Sequence, residues 1–501
     1  MKYKIAGILA CAVILFIALI PTPDSLDGSE SPRVHQHLQA KAQQESGRDT
    51  AAECSHGDDV LCTHLPLVVI DISDDEIPGD PVHRSNGNVQ GKYTVAEDGE
   101  STVRAEMRVM DSEGGNNHVN DEAAVSSLID IRKRGNSSRH FDKKSYDIKL
   151  VTAEGENNPQ EIMGMDSHHR WVLYGPYLDK TLLRNYMAYN IAGEIMDYAP
   201  NVRFCELVLD GEYRGLYLMT ETITAGDDGS RLNISVNKKN QTFSGYILRL
   251  DRGSSNPLKN IDNFSSYTRR TRQILNIEYP GTSNLDRELA EGIRKDFSRF
   301  EKALYSYDFD DRDGYRKYID AQSFADYFII NEFSCNYDAG MFSTYIYKEA
   351  DGKLKMCVWD FNSAWDNYQE AAVSPYGFQM QNRLWYFMLT KDEDFVDLVI
   401  DRYRQLRKTY LSDDYIDNYI DETVEYLGDA IDRNYQVWGY TFGSDCDLLT
   451  PKDRNPGNYE EAIKQLKDFV HLRGRFMDEN IESLRQYCAE SRTKKFKEDS
   501  N

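Results

Sequence analysis

The alternation of apolar and polar positions predicts β-strands in the first half of the chain. Apolar runs of strand length occur at 65–72 (LPLVVIDI), 126–135, 143–150 and Trp171 to Tyr174. The polar loop NSSRHFD joins the second and third runs, so these two form a predicted hairpin. A second hairpin is predicted where CELVL and EYRGLYLM flank Asp210 and Gly211, because Asp-Gly favours a two-residue turn between strands.

Helical spacing begins after Asp179 and dominates the chain from about Leu285. In KTLLRNYMAYNIAGEIM the apolar residues repeat at helical intervals, and Asp179 is placed to cap the first turn. Further amphipathic segments run from Phe297 to Tyr305, Phe324 to Phe333, Phe395 to Tyr410, Ile416 to Ile431 and Tyr459 to Ile481. The pattern predicts an α+β domain over 65–490, with a β-rich lobe at about 65–250, a helical lobe at about 285–490 and a cleft between them.

The two ends of the chain differ from this domain. Lys2 and Lys4 precede an apolar run over residues 5–21, which is typical of an export signal. The run of about seventeen residues is close to the roughly 20 that span a membrane, so a cleaved signal peptide (1–21) and an uncleaved signal anchor both stay open. Residues 22–64 have the composition of a flexible tether, and 491–501 that of a polar tail. We therefore expect a secreted or cell-surface protein, with a possible membrane tether through residues 5–21.

Composition excludes several classes of protein. The 59 basic and 83 acidic residues give a formal net charge of -24, which would repel a phosphate backbone, so no nucleic-acid partner is expected. The 5 Trp, 33 Tyr and 20 Phe supply enough apolar surface for a large core and exclude disorder throughout. Neither Cys-x-x-Cys nor His-rich ligand spacing occurs, so a zinc site is not expected.

Two polar segments lie in the predicted 126–150 hairpin. Arg134, Asn136 and Ser137 belong to a Gly/Asn/Ser turn that either presents backbone N–H groups to an anion or is a plain hairpin turn. Strand alternation puts Lys144 on the face of the apolar residues and Lys149 on the other face. A lysine on an apolar face either reaches a nucleotide phosphate or extends to water at the end of the sheet.

Two carboxylates follow predicted elements in the second half. Asp338 comes after an apolar helix and opens a turn, where it either accepts a proton from a substrate hydroxyl or caps the turn. Ser343, five residues later, offers an oxygen ligand. Asp360 ends a predicted strand, and a strand end can hold a Mg²⁺ ligand rigidly. Asn362 lies two residues later. The order of turn, strand lysine, helix and two carboxylates is similar to that of protein kinases.

These segments, together with D179-x-T181-x-x-R184-N185 and LDGEYRGLYLMTE (209–221), resemble the spore-coat CotH family of atypical secreted protein kinases. The resemblance spans about Leu65 to Ile481. It implies a divergent protein-kinase-like two-lobed fold that binds ATP with Mg²⁺, or with Mn²⁺, and phosphorylates Ser or Thr of a protein substrate.

The resemblance also implies roles for individual residues. Asp338 matches the catalytic carboxylate, and Asp360 matches the metal ligand. Either Lys144 or Lys149 matches the lysine that binds the nucleotide phosphate, and strand alternation favours Lys144. Arg134 to Ser138 would cover the phosphates. Glu221 matches a further family position, as a nucleotide contact or as the partner of a basic residue.

The chain departs from the family pattern at two positions. Ser343 and Asn362 stand where many relatives carry Asn and Asp, and both still offer neutral oxygen ligands to a metal. Two alternatives to a protein kinase therefore stay open: an inactive cell-surface adhesion or binding module on the same fold, and a phosphotransferase that acts on a cell-wall glycan.

Overall fold

The computed structural model describes residues 60–72, 76–83, 89–112, 115–225, 231–264, 273–310, 314–350, 352–443, 445–446 and 448–489. The predicted signal segment, the tether up to residue 59 and the polar tail lie outside the described residues. The last part of the predicted tether belongs to the fold, because Thr63 exchanges two backbone hydrogen bonds with Asn117 and is buried.

Eighteen strands occur in the described part of the chain. They are β1 (Leu67–Asp71), β2 (Pro81–His83), β3 (Val89–Tyr93), β4 (Val103–Met110), β5 (Val125–Arg134), β6 (Ser145–Val151), β7 (Gln160–Ile162), β8 (Met165–His168), β9 (Arg170–Tyr174), β10 (Val202–Leu209), β11 (Glu212–Glu221), β12 (Val236–Asn237), β13 (Thr242–Phe243), β14 (Tyr246–Asp251), β15 (Asn260–Ile261), β16 (Ile274–Tyr279), β17 (Thr344–Lys348) and β18 (Leu354–Cys357).

Seven of these strands close into a barrel in the order β1-β10-β11-β9-β6-β5-β4. Side chains alternate across each strand, so Ile148 of β6 is buried inside the barrel while Asp147 and Lys149 point outward. Both predicted hairpins are confirmed, as β5 pairs with β6 and β10 with β11. Asp210 and Gly211 have φ of 50° and 76°, the left-handed conformation that a tight hairpin turn requires.

A five-stranded sheet, ordered β15-β16-β14-β17-β18, connects the barrel to the helices. The helices are α1 (Arg184–Ile195), α2 (Arg287–Leu304), α3 (Ala321–Phe333), α4 (Tyr386–Leu389), α5 (Glu393–Leu406), α6 (Asp413–Leu427), α7 (Asp429–Trp438) and α8 (Tyr459–Asn480). The α+β class is confirmed. β17 and β18 lie within the predicted helical lobe and complete a sheet begun before residue 285.

Two helix predictions are wrong in their bounds. The helix expected after Asp179 begins only at Arg184, because Leu182 has a φ of 67° and the Asp179 carboxylate binds the backbone N–H groups of Thr181 and Arg184 in a turn. The segment from Ile416 to Ile431 is two helices, because Gly428, with a φ of 45°, ends α6 and starts α7.

Helix α7 fastens the helical part to the barrel. Asn434 Oδ1 accepts hydrogen bonds from Lys143 Nζ at 2.7 Å and from the Leu216 backbone N–H at 3.1 Å. Arg433 donates two hydrogen bonds to the fully buried Glu206 of β10. Within the described residues, every helix is too short or too polar to cross a bilayer.

Candidate active site

A cleft of about 1570 Å³ lies between the outer face of the barrel and the five-stranded sheet. Its charged lining comprises six cations, Arg132, Arg134, Lys149, Arg170, Arg249 and Lys259, and two carboxylates, Asp147 and Glu278. Aromatic side chains, Trp359 and Tyr345 among them, line it as well. A basic cleft in a chain of net charge -24 concentrates anionic ligands.

The cations of the barrel wall divide into paired and unpaired ones. Arg132 and Arg134 lie 2.8 and 3.0 Å from the Asp147 carboxylate. Burial opposes ionisation of Asp147, but the two guanidinium groups hold its pKa below the usual value. Lys149 and Arg170 face each other in the β6–β9 register, and neither has an ion-pair partner among the described residues. Their positive charge is therefore available to a ligand.

Asp360 lies just beyond the end of β18, and helix α1 fixes its backbone. The Asp360 N–H donates to the Tyr189 hydroxyl at 3.0 Å, and the next N–H, of Phe361, donates to Asn185 Oδ1 at 2.7 Å. Arg184 Nε and Nη2 donate to the carbonyl oxygens of Ala364 and Trp365. The 179–185 motif of the sequence therefore positions the loop that follows Asp360.

Asp338 lies in the loop that follows α3, and this loop contacts Asp360. Asn336, two residues before it, donates through Nδ2 to the Asp360 carbonyl oxygen at 3.4 Å. Ser343, five residues after it, donates from Oγ to Asp360 Oδ2 at 3.3 Å. The structure therefore brings together Asp338, Ser343 and Asp360, as the sequence predicts.

Burial and charge together shift the two carboxylates. Burial, and then the negative charge of Asp360, raises the pKa of Asp338 to about 6, against the opposing effect of Arg252 and Arg383. Burial also raises the pKa of Asp360, whereas Arg134 lowers it. A carboxylate with a pKa near 6 is mostly ionised at neutral pH and basic enough to accept a proton, which suits a general base.

The donors around Asp360 fit a hard cation that also binds phosphate. In the described part of the chain, no group of three or more His, Cys, Asp or Glu side chains could hold a metal ion. Asp360 is instead joined to the hydroxyl of Ser343, and Asn362 follows two residues later in the chain. One carboxylate with neutral oxygens and substrate phosphates is a ligand set that Mg²⁺ accepts. A cation there would also offset the burial that raises the pKa of Asp360.

The candidate cations occupy different places. Arg134 lines the cleft, with its guanidinium 5.6 Å from the Trp359 ring, and its charge acts on Asp360. Lys149 lines the cleft wall too. Lys144 does not, because it precedes β6, donates to the Arg139 carbonyl oxygen at 2.7 Å and lies 3.2 Å from Asp80. Asp80 also pairs with Lys133, which lies opposite Tyr146 in the β5–β6 register, so Lys144 lies at the end of the sheet and does not contact the cleft. The neighbouring Lys143 is the buried lysine.

The residues around the two carboxylates, Asp338, Ser343, Asp360 and Asn362, are next to the cleft but not part of its lining, and Asn136, Ser137 and Glu221 lie outside it as well. Asn136 and Ser137 are exposed in a turn beyond β5. Glu221 is buried at the end of β11, where it accepts hydrogen bonds from Asn201 and Arg231. Of the two alternatives for Glu221, a nucleotide contact or the partner of a basic residue, the contact with Arg231 favours the second.

Sequence reasoning missed several residues around the carboxylates. Asp251 ends β14 as Asp360 follows β18, and this strand-end position was a usable signal. Arg252 follows it, and both act on the charge of Asp338 and Asp360. Arg383 gave no local signal, because its contacts are with a loop more than forty residues earlier in the sequence.

Comparison with known proteins finds a matching family model and a similar protein. The family model described as CotH kinase protein matches residues 131–477. The chain is also 23% identical, over 241 residues, to the inner spore coat protein H of Bacillus subtilis (strain 168). That match covers 47% of this chain and 59% of the length of the Bacillus protein.

Proposed function

This chain belongs to the CotH family, and on that premise we propose that it is a phosphotransferase that moves the γ-phosphate of ATP to a Ser or Thr hydroxyl of a protein. The proposal includes a divergent kinase-like two-lobed organisation, in which the barrel forms one lobe, and the five-stranded sheet that faces it across the cleft belongs to the other together with the helices. It also includes dependence on Mg²⁺ or Mn²⁺ and, by analogy with the spore-coat relative, a place at an outer surface.

The observation that carries the proposal is the meeting of Asp338 and Asp360 beside a basic cleft. The Asp338 pKa of about 6 gives one carboxylate the property of a base, while Asp360 is joined to Ser343 in the manner of a ligand set. Phosphoryl transfer depends mainly on positioning and charge neutralisation, so a few well-placed groups are enough.

The residues have distinct parts in the proposed reaction. Arg134 and Lys149 attract the phosphates of the nucleotide into the cleft. Asp360, Ser343 and Asn362 would hold Mg²⁺, which would neutralise phosphate charge. Asp338 accepts the proton of the acceptor hydroxyl while the oxygen of that hydroxyl bonds to the γ-phosphorus. The bond between the γ-phosphorus and the bridging oxygen breaks, and ADP leaves.

The test is phosphate transfer by the full chain from labelled ATP with Mg²⁺ or Mn²⁺, to itself and to generic protein acceptors. Asp338→Asn and Asp360→Asn are each expected to abolish incorporation while the circular dichroism spectrum is unchanged. Asp421→Asn, which removes an exposed carboxylate paired with Lys467, is the matched control and is expected to retain activity.

Two results would replace this proposal. Absence of incorporation together with absence of an ATP-induced thermal shift would favour the inactive binding module, and the Ser343 and Asn362 departures would then mark the loss of catalysis. Incorporation into wall glycan but not into protein would favour the glycan phosphotransferase.

A further inference from the structure

Arg383 lies against the loop that carries Asp338 and holds its backbone. Its Nη1 donates to three carbonyl oxygens of that loop, those of Asn336 at 3.2 Å, Tyr337 at 2.7 Å and Ala339 at 2.6 Å. These three carbonyls lie on both sides of Asp338. One guanidinium therefore determines the course of the turn at that residue.

The loop is shaped to admit this side chain. Gly340 has a φ of 73°, and a Cβ at that position would lie 2.9 Å from the Cβ of Arg383. Any other residue would strain the backbone and also push against Arg383. The turn also bonds internally, because the N–H groups of Met341 and Phe342 donate to the Asp338 carbonyl oxygen at 2.9 and 2.8 Å.

Arg383 is itself held from the far side. Its Nη2 donates to Gln379 Oε1 at 2.8 Å, and the Gln379 N–H donates to Glu332 Oε1 at 2.5 Å. Glu332 is fully buried and forms an ion pair with Arg473 of α8 at 2.7 Å. A chain of contacts therefore runs from the C-terminal helix through Glu332 and Gln379 to Arg383.

We propose that Arg383 is a positioning residue for Asp338, which fixes the turn so that the carboxylate meets the acceptor hydroxyl beside Asp360. The inference rests on the proposed phosphotransferase function. Arg383 contacts the backbone of the loop, so it acts through Asp338 and is not itself catalytic.

The charge of Arg383 has a second effect. The groups that act on Asp338 are Asp360 and Asp251, which raise its pKa, and Arg252 and Arg383, which lower it. Loss of the Arg383 charge therefore moves the titration of Asp338 to higher pH. A lysine at position 383 keeps the charge but has a single nitrogen, so it lacks the planar fork with which Arg383 binds the loop carbonyls through Nη1 and Gln379 through Nη2.

The test compares Arg383→Gln, Arg383→Lys and a control in the full chain. Arg294→Gln is the control, because Arg294 also donates to two loop carbonyl oxygens, those of Leu258 and Asn260, away from Asp338. The measurements are kcat, KM for ATP, the pH dependence of kcat/KM, and hydrogen exchange of the amides from 339 to 342.

Arg383→Gln is expected to lower kcat by about 10- to 100-fold, the range seen when a supporting residue is removed from a site, with a much smaller change in KM for ATP. The acid limb of its kcat/KM profile is expected to move to higher pH, and hydrogen exchange of the amides in the turn is expected to accelerate. Arg383→Lys is expected to restore the acid limb but not kcat. Arg294→Gln is expected to leave kcat, the acid limb and amide exchange in the turn unchanged.

Equal kcat and an equal acid limb in Arg383→Gln and the wild type would overturn the inference. If Arg383→Gln fails to fold, Gly340→Ala displaces the same contact from the loop side and is expected to give the same fall in kcat. If the wild type transfers no phosphate, the proposed function fails. Amide exchange and the titration of Asp338 by carboxyl NMR then still decide whether Arg383 fixes the turn.

Discussion

Ser343 donates a hydrogen bond to Asp360 across 3.3 Å, and both residues hold their backbone in the left-handed region, with φ of 48° and 62°. Six of the ten non-glycine residues with positive φ in the described part of the chain lie between 335 and 384. Such residues cost about 1–3 kcal/mol each and persist only where the surrounding structure holds them. Their concentration here indicates that the site is organised at the expense of local stability.

Replacement of Ser343 by glycine separates strain from ligand binding. Ser343→Gly relieves the left-handed backbone, so it is expected to raise the melting temperature, and it removes the hydroxyl, so it is expected to weaken Mg²⁺-dependent ATP binding. Ser343→Ala removes the same hydroxyl but keeps the strain, so it is expected to weaken binding with no gain in stability. Calorimetric titration and thermal melts measure the two effects. A glycine variant less stable than the alanine variant would contradict the interpretation of strain.

The pH dependence of transfer is expected to follow Asp338. With a pKa of about 6, the carboxylate is ionised above that value and can accept a proton, so kcat/KM is expected to fall as pH decreases through about 6. The measurement is the rate from pH 5 to 8 with saturating metal, corrected for the titration of ATP. A rate that stays level down to pH 5 would show that Asp338 does not act as the base.

Asp338 is expected to destabilise the fold at neutral pH. Its pKa rises from 3.8 in the unfolded chain to about 6 in the folded protein, so between these values the folded state binds more protons and stability falls as pH rises. Asp338→Asn is therefore expected to stabilise the protein at pH 8 by about 1–2 kcal/mol, allowing for partial exposure, and to have little effect below about pH 4. Urea unfolding at both pH values provides the measurement.

The buried ion pair beneath the Asp338 loop is expected to matter far more than exposed ones. Arg473→Met leaves the buried Glu332 carboxylate without its cation, and the expected cost is about 3–5 kcal/mol. Arg404→Met breaks the exposed pair with Glu482, where about 0–1 kcal/mol is expected. Denaturant unfolding of the two variants gives the comparison, and equal losses would show that the buried pair is not a main support of the loop.

Two glycines of β11 and its turn test the contact between the barrel and α7. Gly211 and Gly215 both have positive φ, 76° and 89°, but only at Gly215 would a Cβ meet neighbouring atoms, lying 2.6 Å from Asn434 Oδ1. Gly211→Ala is expected to cost about 1 kcal/mol from backbone strain alone. Gly215→Ala adds about 1–3 kcal/mol of overpacking. Thermal melts of both variants measure the difference, and similar melting temperatures would mean that α7 yields readily.

Local patterns in the sequence account for most of the elements. The β5–β6 and β10–β11 hairpins follow from apolar alternation and from the Asp210-Gly211 turn, which depend on neighbouring residues only. The bounds of α1 escaped prediction because Asp179, expected as the cap of a helix that starts beside it, instead binds the backbone N–H groups of Thr181 and Arg184 in a turn that precedes the helix. The break at Gly428 was visible as a glycine in a helical pattern, which is a weak signal by itself. The structure shows that α6 ends at this glycine and that α7 packs on the barrel.

The sequence by itself determined the class of fold, the order of the chemical segments and the choice of Asp338 and Asp360 as a candidate pair, because each of these follows from patterns among neighbouring residues. Only the tertiary structure decided which lysine faces the cleft, since the start of β6 at Ser145 leaves Lys144 outside the strand. It also decided the contacts of Arg383, because hydrogen bonds between segments more than forty residues apart depend on how helices and loops pack and have no trace in local spacing.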